Sequence, residues 1–558
     1  MSINNKKIGG HLLADQLAIN GVETIFCVPG ESYLGLLDGL YNHKDKIKLI
    51  TTRNESGAAN MADAYGKLTN KPGICLVSRG PGATNASNGI HTAYQDSTPM
   101  ILLIGQVSRD ERDREAQQEI DYKEMFRAMA KYVAEINDAN RIPEFVNKAF
   151  YIAQSGRPGP VVLSLPEDML TDETDSVCIP PPAVIRPSPS AMQIEDFYTN
   201  LKSARKPLII VGGSTWTQDD VNKITEFVNI NSIPVLTSYR AQDKFDNRNE
   251  NYIGHSSYAI PIETKKRIED SDFILALGAR LGEVTTQGYT TINVPKPKQF
   301  LVHVHPGINE IGTVYQPDIG INSGVGEFIS HLKSLPKIES PIWKEWCKSA
   351  RQEYLEFIKP TVMSGKLNLS EIISYLNKVL NDDDIMIVGS GNNSQWVHRY
   401  YQYKNLGSQL VTTAGSMGYA VPAAIAAKLL NPKKTVVSFN GDGCFMMLGQ
   451  ELGTAVENNI SPIFVIVNNE KLGTIRMHQE KNFPGRVMGT NIKNPDFCIL
   501  AKAHGVDSVK VTKTKDFYKV FEKARLDNKC FLIELVIDGN VLSPSLEIGS
   551  NIGINGLK

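Results

Sequence analysis

Two apolar runs constrain what this chain can fold into. Thr435–Phe439 (TVVSF) reads as a strand and stops at Asn440-Gly441-Asp442-Gly443. A helix-patterned segment, MLGQELGTAVENN, follows, and Pro462–Val467 (PIFVIV) is a second strand that stops at Asn468-Asn469. In a right-handed strand–helix–strand unit both strands end on the same edge of one sheet. Asp442 and Asn469, 27 residues apart, therefore converge on a crevice at the strand ends, where open α/β sheets place ligands. One carboxylate oxygen and one amide oxygen form a hard-oxygen pair that suits Mg2+ held together with phosphates. The glycines let the backbone approach closely, and the start of the next helix aims N–H groups and its dipole at an anion.

The same rhythm runs through the rest of the sequence. Thr24–Val28 (TIFCV) leads into Pro29-Gly30, Lys48–Thr52 leads into a helical run from about Glu55, Gly73–Val77 ends in a glycine-rich loop, and Met100–Ile104 follows. Strands alternating with helices predict an open parallel sheet. Ile179–Ser190 (IPPPAVIRPSPS) is too proline-rich for a helix or a central strand and marks a boundary. A second α/β unit, with strands in PLIIVGG, DFILALG and FLVHVHP, covers about Pro207 to Ile329. Leu335–Lys366 reads as a long connection, and a third unit runs from about Leu369 to Ile537. At 558 residues the chain exceeds a single core. The expectation is an α/β protein with three open parallel-sheet domains, at 1–175, 191–335 and 365–540, and a C-terminal tail at 541–558.

Lys plus Arg is 59 and Asp plus Glu is 60, so no net field favours nucleic acid or an anionic membrane. The seven cysteines are scattered and form no CxxC pair, which argues against a disulfide framework or a zinc site. No apolar run is long enough to span a bilayer, and the start lacks the apolar core of a signal peptide. A cytoplasmic protein acting on small molecules is expected.

A GDG followed at this distance by NN, in a strand–helix–strand context, resembles the motif of thiamine diphosphate-dependent enzymes, and the likeness to acetolactate synthases covers almost the whole chain. It implies that Asp442 and Asn469 bind Mg2+ by side chain and Lys471 by its main-chain carbonyl. Gly441, Gly443, Cys444, Leu472 and Gly473 fall within the implied cofactor site. Gly391-Asn392-Asn393 stands where relatives hold a diphosphate loop. Relatives often have Gln-His there, so only backbone donors carry over. AGSMGYAVPA is similar to the family's Gly-Met-Gly segment, which makes Gly415 a cofactor contact and Met417 the apolar wedge that bends the cofactor. Arg53-Asn54-Glu55, with AANMADAYG after it, looks like the family's glutamate-bearing helix start. Glu55 is thereby implied to hold the aminopyrimidine ring nitrogen, so that the exocyclic nitrogen can remove the C2 proton. Pro29, Gly30, Thr84 and Asn85 fall in loops similar to those around the pyrimidine, and Gln118 is implied on the substrate side.

The resemblance implies a carboligase that decarboxylates a 2-oxo acid such as pyruvate and transfers the two-carbon unit to a second carbonyl. The alternative is a 2-oxo acid or acyl-CoA decarboxylase that does not ligate. It also implies a homodimer or homotetramer, since in the family the glutamate and the GDG of different subunits meet. Three departures stand out. Asn54 stands where many relatives have histidine. His478, a substrate contact or a solvated loop histidine, replaces a tryptophan of the biosynthetic enzymes. Gly278-Ala279-Arg280-Leu281-Gly282-Glu283-Val284 replaces GARFDDR and lacks its second arginine, which leaves FAD not favoured. A pyridine-nucleotide enzyme is weaker still, because Val211-Gly212-Gly213 continues into no GxGxxG.

Overall fold

The computed structural model describes residues 6–548, which contain three parallel sheets of six strands each. The first comprises Thr24–Cys27, Lys48–Thr51, Gly73–Val77, Met100–Gln106, Tyr132–Glu135 and Pro160–Pro166. The middle one comprises Pro207–Val211, Val235–Thr237, Tyr252–His255, Phe273–Leu277, Phe300–His305 and Ile319–Asn322. The third comprises Ile385–Val388, Gln409–Leu410, Val436–Gly441, Ile463–Asn468, Asp507–Val511 and Phe531–Val536. Central strands such as IFVIVN are buried at every position, because helices cover both faces and no solvent side exists for polar residues to alternate onto.

Numbered along the chain within each sheet, the first and third sheets share the order 2-1-3-4-6-5, whereas the middle sheet runs 3-2-1-4-5-6. The direction of winding reverses between strands 1 and 3 in the outer sheets, which also fold back from strand 5 to strand 6, and between strands 1 and 4 in the middle sheet. A crevice opens there at the strand ends. In the first sheet it lies beyond Cys27 and Val77, in the third beyond Val388 and Gly441.

The first and third units share one core. Helix Glu55–Thr69 (ESGAANMADAYGKLT) and helix Ala420–Leu430 (AVPAAIAAKLL) contribute small residues to it, and the latter is buried from Ala420 to Lys428. A helix apolar on all sides belongs inside.

Three elements differ from the sequence expectation. The strand at Val436 runs on to Gly441, which still pairs in register with Val467, so the helix begins at Asp442 itself. The expected single helix is interrupted by a 3-10 turn at Gly449–Glu451 before Leu452–Glu457, where the Glu451 side chain turns inward against the backbone of Arg53. The supposed connection at 335–366 contains helix Lys344–Phe357. Trp343, Cys347, Ala350 and Tyr354 form its buried stripe, and Trp343 Nε1 donates to Asn231 O at 3.0 Å. Lys and Glu on the outer face of that helix mask its periodicity. Val541–Ser543 and Leu546–Glu547 form an antiparallel ribbon; residues 549–558 of the expected tail lie outside the described residues. No described helix is long and apolar enough to cross a membrane.

Candidate active site

Register places the third-sheet half of the site. Gly441 pairs with Val467, so the chain leaves the sheet at Asp442 and at Asn469 side by side. Asp442 is only 2% exposed. Its Oδ1 accepts from Gly443 N at 2.8 Å. Its Oδ2 accepts from Asn469 N at 3.2 Å, Glu470 N at 2.8 Å and Asn494 Nδ2 at 2.8 Å. Burial pushes the Asp442 carboxyl above its ordinary range, and these N–H groups oppose that rise. Asn469 Oδ1 accepts from Lys471 N at 3.1 Å, closing a tight turn. A passing strap holds this turn, with Leu472 N donating to Thr490 O at 2.9 Å and Ile492 N to Glu470 O at 3.0 Å. Gly443 sits under two apolar side chains: a Cβ there would lie 2.9 Å from Leu472 Cδ2, with Met417 Cε 3.7 Å away. Gly473 packs on the same turn, 3.5 Å from Asn469 Nδ2 at its Cβ position.

The loop after Val388 supplies the opposite wall. Gly391 takes a φ of 113°. Asn392 Oδ1 accepts from Thr474 Oγ1 and Gln395 Nε2, both at 3.0 Å. Asn393, with its amide oriented to satisfy both ends, accepts from Gly441 N at 3.2 Å and donates to Ser390 O at 3.1 Å. Ser390 Oγ donates to Ser416 O at 2.9 Å, and Gly418 N donates to the buried Cys444 Sγ at 3.3 Å. The segment with Gly415 and Met417 is thereby fixed over the crevice. Among the implied third-unit residues, Cys444 turns its side chain into the protein and offers the crevice its backbone only.

The first-sheet half gathers around Glu55, the first residue of helix Glu55–Thr69. Asn54 caps that helix by accepting from Ser56 N at 2.8 Å. Asn85 Nδ2 donates to Glu55 Oε2 at 2.9 Å, and the Cβ position of Gly82 lies 3.6 Å from Glu55 Oε1. Pro29-Gly30 follows the first strand, with Gly30 packed on Ser78 at the end of the third. Thr84 Oγ1 is spent on its own helix, donating to Pro81 O at 2.9 Å. Gln118 is exposed with a φ of 67°, and its backbone rests on Gly80, whose N–H donates to Tyr122 OH at 2.8 Å. Among the described residues no hydrogen bond or ion pair joins Glu55 or Asn85 to the Asp442 cluster, and the two groups stand at the strand ends of different sheets.

Sequence reasoning missed Asn494 and Glu451. Asn494 donates to both Asp442 Oδ2 and Asn468 Oδ1. It lies in NIKNPD, which carries no periodic or motif signal. His478 is exposed on helix Gly473–Asn482, none of whose residues is buried.

Three family descriptions match the chain in order: "Thiamine pyrophosphate enzyme, N-terminal TPP binding domain" at residues 7–125, "central domain" at 194–332 and "C-terminal TPP binding domain" at 389–535. The chain belongs to the thiamine pyrophosphate enzymes. Within them it is an enzyme of the acetolactate synthase type. It is 32% identical to the acetolactate synthase large subunit of Lactococcus lactis over 95% of this chain and 92% of that one. It is 31% identical to that of Cyanidium caldarium over 95% and 93%, and 29% identical to that of Corynebacterium glutamicum over 97% and 89%. The enzyme's two outer units, which share one strand order, carry the two half-sites at the same crevice of that order.

The residues present fit the cofactor of this family. Asp442, Asn469 and the Lys471 carbonyl make an all-oxygen donor set at the mouth of the third-sheet crevice, the kind that suits Mg2+ held with a diphosphate.

Proposed function

We propose that the enzyme is a magnesium-dependent carboligase that removes CO2 from a 2-oxo acid such as pyruvate and passes the remaining two-carbon unit to a second carbonyl. The cofactor half of this reading is carried by the oxygen set at the buried Asp442 in one crevice, matched by a carboxylate, Glu55, in the equivalent crevice of the twin sheet, and the likeness to acetolactate synthases supports ligation over decarboxylation alone. Bound thiamine diphosphate supplies the carbon nucleophile for such chemistry. Asp442, Asn469 and the Lys471 carbonyl hold Mg2+. The N–H groups at the start of helix Asp442–Leu448 and around Gly391 hold the diphosphate. Met417 would supply the apolar contact to the bound cofactor. Glu55, steadied by Asn85, holds or releases the proton at the aminopyrimidine ring nitrogen. Gln118, at the Gly80 turn, faces substrate.

In this reading the working unit is a homodimer in which Glu55 of one copy serves the Asp442 crevice of the other. Flavin has no part in this reading. In the middle sheet Trp216 fills the switch-point crevice, donating from Nε1 to Gly212 O at 2.8 Å, and Arg280 is paired with Glu310 Oε2 at 3.0 Å. His478 in place of tryptophan removes an apolar wall worth about 1–3 kcal/mol per methylene distinguished, which argues against a preference for 2-oxobutyrate as acceptor.

Protein stripped of cofactor and metal is expected to regain activity only when both return. NMR of products from pyruvate with glyoxylate, glycolaldehyde and 2-oxobutyrate should show a ligated product. Acetaldehyde alone would sink the carboligase reading, full activity after verified removal of thiamine diphosphate would sink the cofactor assignment, and a flavin band in the visible spectrum would sink the exclusion of FAD.

A further inference from the structure

Glu451 is a fully buried carboxylate that belongs to the third unit but ends inside the first. Arg53 N donates to its Oε1 at 3.0 Å and to its Oε2 at 3.2 Å, the N–H of Asn54 also faces it, and Thr454 Oγ1 donates to Oε2 at 2.6 Å. Arg53 and Asn54 immediately precede Glu55. An approach this close requires glycine on the helix above it: a Cβ on Gly57 would lie 2.5 Å from Glu451 Oε1. Arg53 adds an ion pair from Nη2 to Glu457 Oε2 at 2.6 Å, six residues further along the same segment.

A helix start has N–H groups without intrahelical partners. Here Asn54 serves the inner one at Ser56, and Glu451 reaches across from the other unit to fix the chain just before the helix. A backbone tied on both sides leaves the Glu55 side chain few ways to move. A carboxylate that must meet one ring nitrogen at hydrogen-bond distance depends on such fixing, since small misplacements cost rate steeply.

We propose that Glu451 is a positioning residue for Glu55: by clamping the amides of Arg53 and Asn54 from the third unit, it sets where the proton-relaying carboxylate stands. This rests on the proposed role of Glu55. Glu451 acts as a hydrogen-bond acceptor rather than as a charge, so an amide of the same shape should replace it. Its oxygen can accept from Arg53 N while its nitrogen donates to Thr454 Oγ1.

The test uses the holoenzyme with thiamine diphosphate and Mg2+ and three variants, E451Q, E451A and G57A. Three quantities are read: the rate of C2 proton–deuterium exchange in the bound cofactor, the cofactor Kd by fluorescence titration, and Tm. E451Q is expected to exchange within about threefold of the wild type. E451A and G57A, the second by displacing the carboxylate, are expected to exchange at least about tenfold more slowly with Kd changed less than about threefold. A folded E451A or G57A exchanging at the wild-type rate overturns the proposal, as does an E451Q as slow as E451A. Should E451A fail to fold, G57A and E451Q decide by the same criteria. A wild type that does not exchange the proton at all overturns the role of Glu55 and this inference with it; a fast wild type with unaffected variants overturns this inference alone.

Discussion

Four N–H groups converge on the two carboxylate oxygens of Asp442, the proposed cation ligand, and one of those donors is a side chain that can be removed. Asn494 aims the Oδ2 lone pairs and, through Asn468 and its bond to Glu534 at 2.7 Å, ties the carboxylate to the sheet. Partners of this kind typically contribute 10–100-fold to metal affinity. Asn494→Ala should therefore weaken Mg2+ binding by about 10–100-fold with Tm little changed, as read by metal titration of the cofactor-loaded protein; an unchanged metal midpoint would contradict this. Glu55→Gln should keep the fold and the cofactor but slow C2 proton exchange by about 100-fold or more, because an amide cannot shuttle the proton. An unchanged exchange rate would remove Glu55 from its role. That Asp442 and Asn469 come side by side at neighbouring strand ends was legible in their spacing, and Glu55 at a helix start was legible only through its likeness to a family motif. Asn494 and Glu451 were not, because what they touch is brought to them only by the folded chain, 52 residues away for the first and 398 for the second.

Between elements, a buried ionic cluster pins the first unit to the third. Lys67, on helix Glu55–Thr69, places Nζ 2.8 Å from Asp63 Oδ2, 3.1 Å from Tyr419 OH and 3.2 Å from Val411 O, and pairs with Asp96 at the end of helix Pro81–Asp96. Tyr419 OH donates to Asp63 Oδ2 at 2.7 Å, and Thr413 N donates to Asp96 Oδ1 at 2.7 Å. Burial pulls the Lys67 ammonium down, but the two carboxylates outweigh it and hold it above its usual range; burial together with Asp96 raises Asp63 against the pull of Lys67. Removing the one cation leaves two carboxylates in a dry interface, a change that costs about 3–5 kcal/mol. Lys67→Met should thus bring forward the first transition in urea unfolding and loosen the loop with Gly415 and Met417, seen as a weaker cofactor Kd; an unaltered first transition would show that the cluster contributes nothing. The central strands were readable as short continuous apolar runs, because both their faces are buried. The 3-10 break at Gly449–Glu451 was not, because it answers to Arg53 in another unit rather than to its own sequence.

Over the whole molecule the sequence announced three α/β units but not that the outer two repeat one strand order, since order is set by crossovers that leave no local mark. Nor did it announce the joint between the middle and third units, where two histidines meet without charge. His255 ends a middle-sheet strand and His398 lies on helix Asn393–Tyr400; their rings are 6.0 Å apart. His398 Nδ1 is paired with Gln242 Oε1 at 2.8 Å, and the charged group facing the pair is Arg240. Burial pushes His255 down to about 4, and burial with the Arg240 charge and His255 pushes His398 well down. An unfolded histidine takes a proton near pH 6.5. Above that pH neither state binds it, and the fold keeps its full stability. Between pH 6.5 and about 4 the unfolded chain binds the proton and the folded one does not, so stability falls with pH. For His255 alone the loss amounts to about 3 kcal/mol by pH 4. His305, also pushed to about 4 by burial, adds its own loss over the same window. Tm should accordingly drop steeply from pH 6.5 to pH 4, and His255→Gln should flatten part of that slope whatever it costs at pH 8. Melting curves across this range decide the matter: a variant whose Tm falls as steeply as the wild type's would mean that protonation of this joint is not what acid exploits.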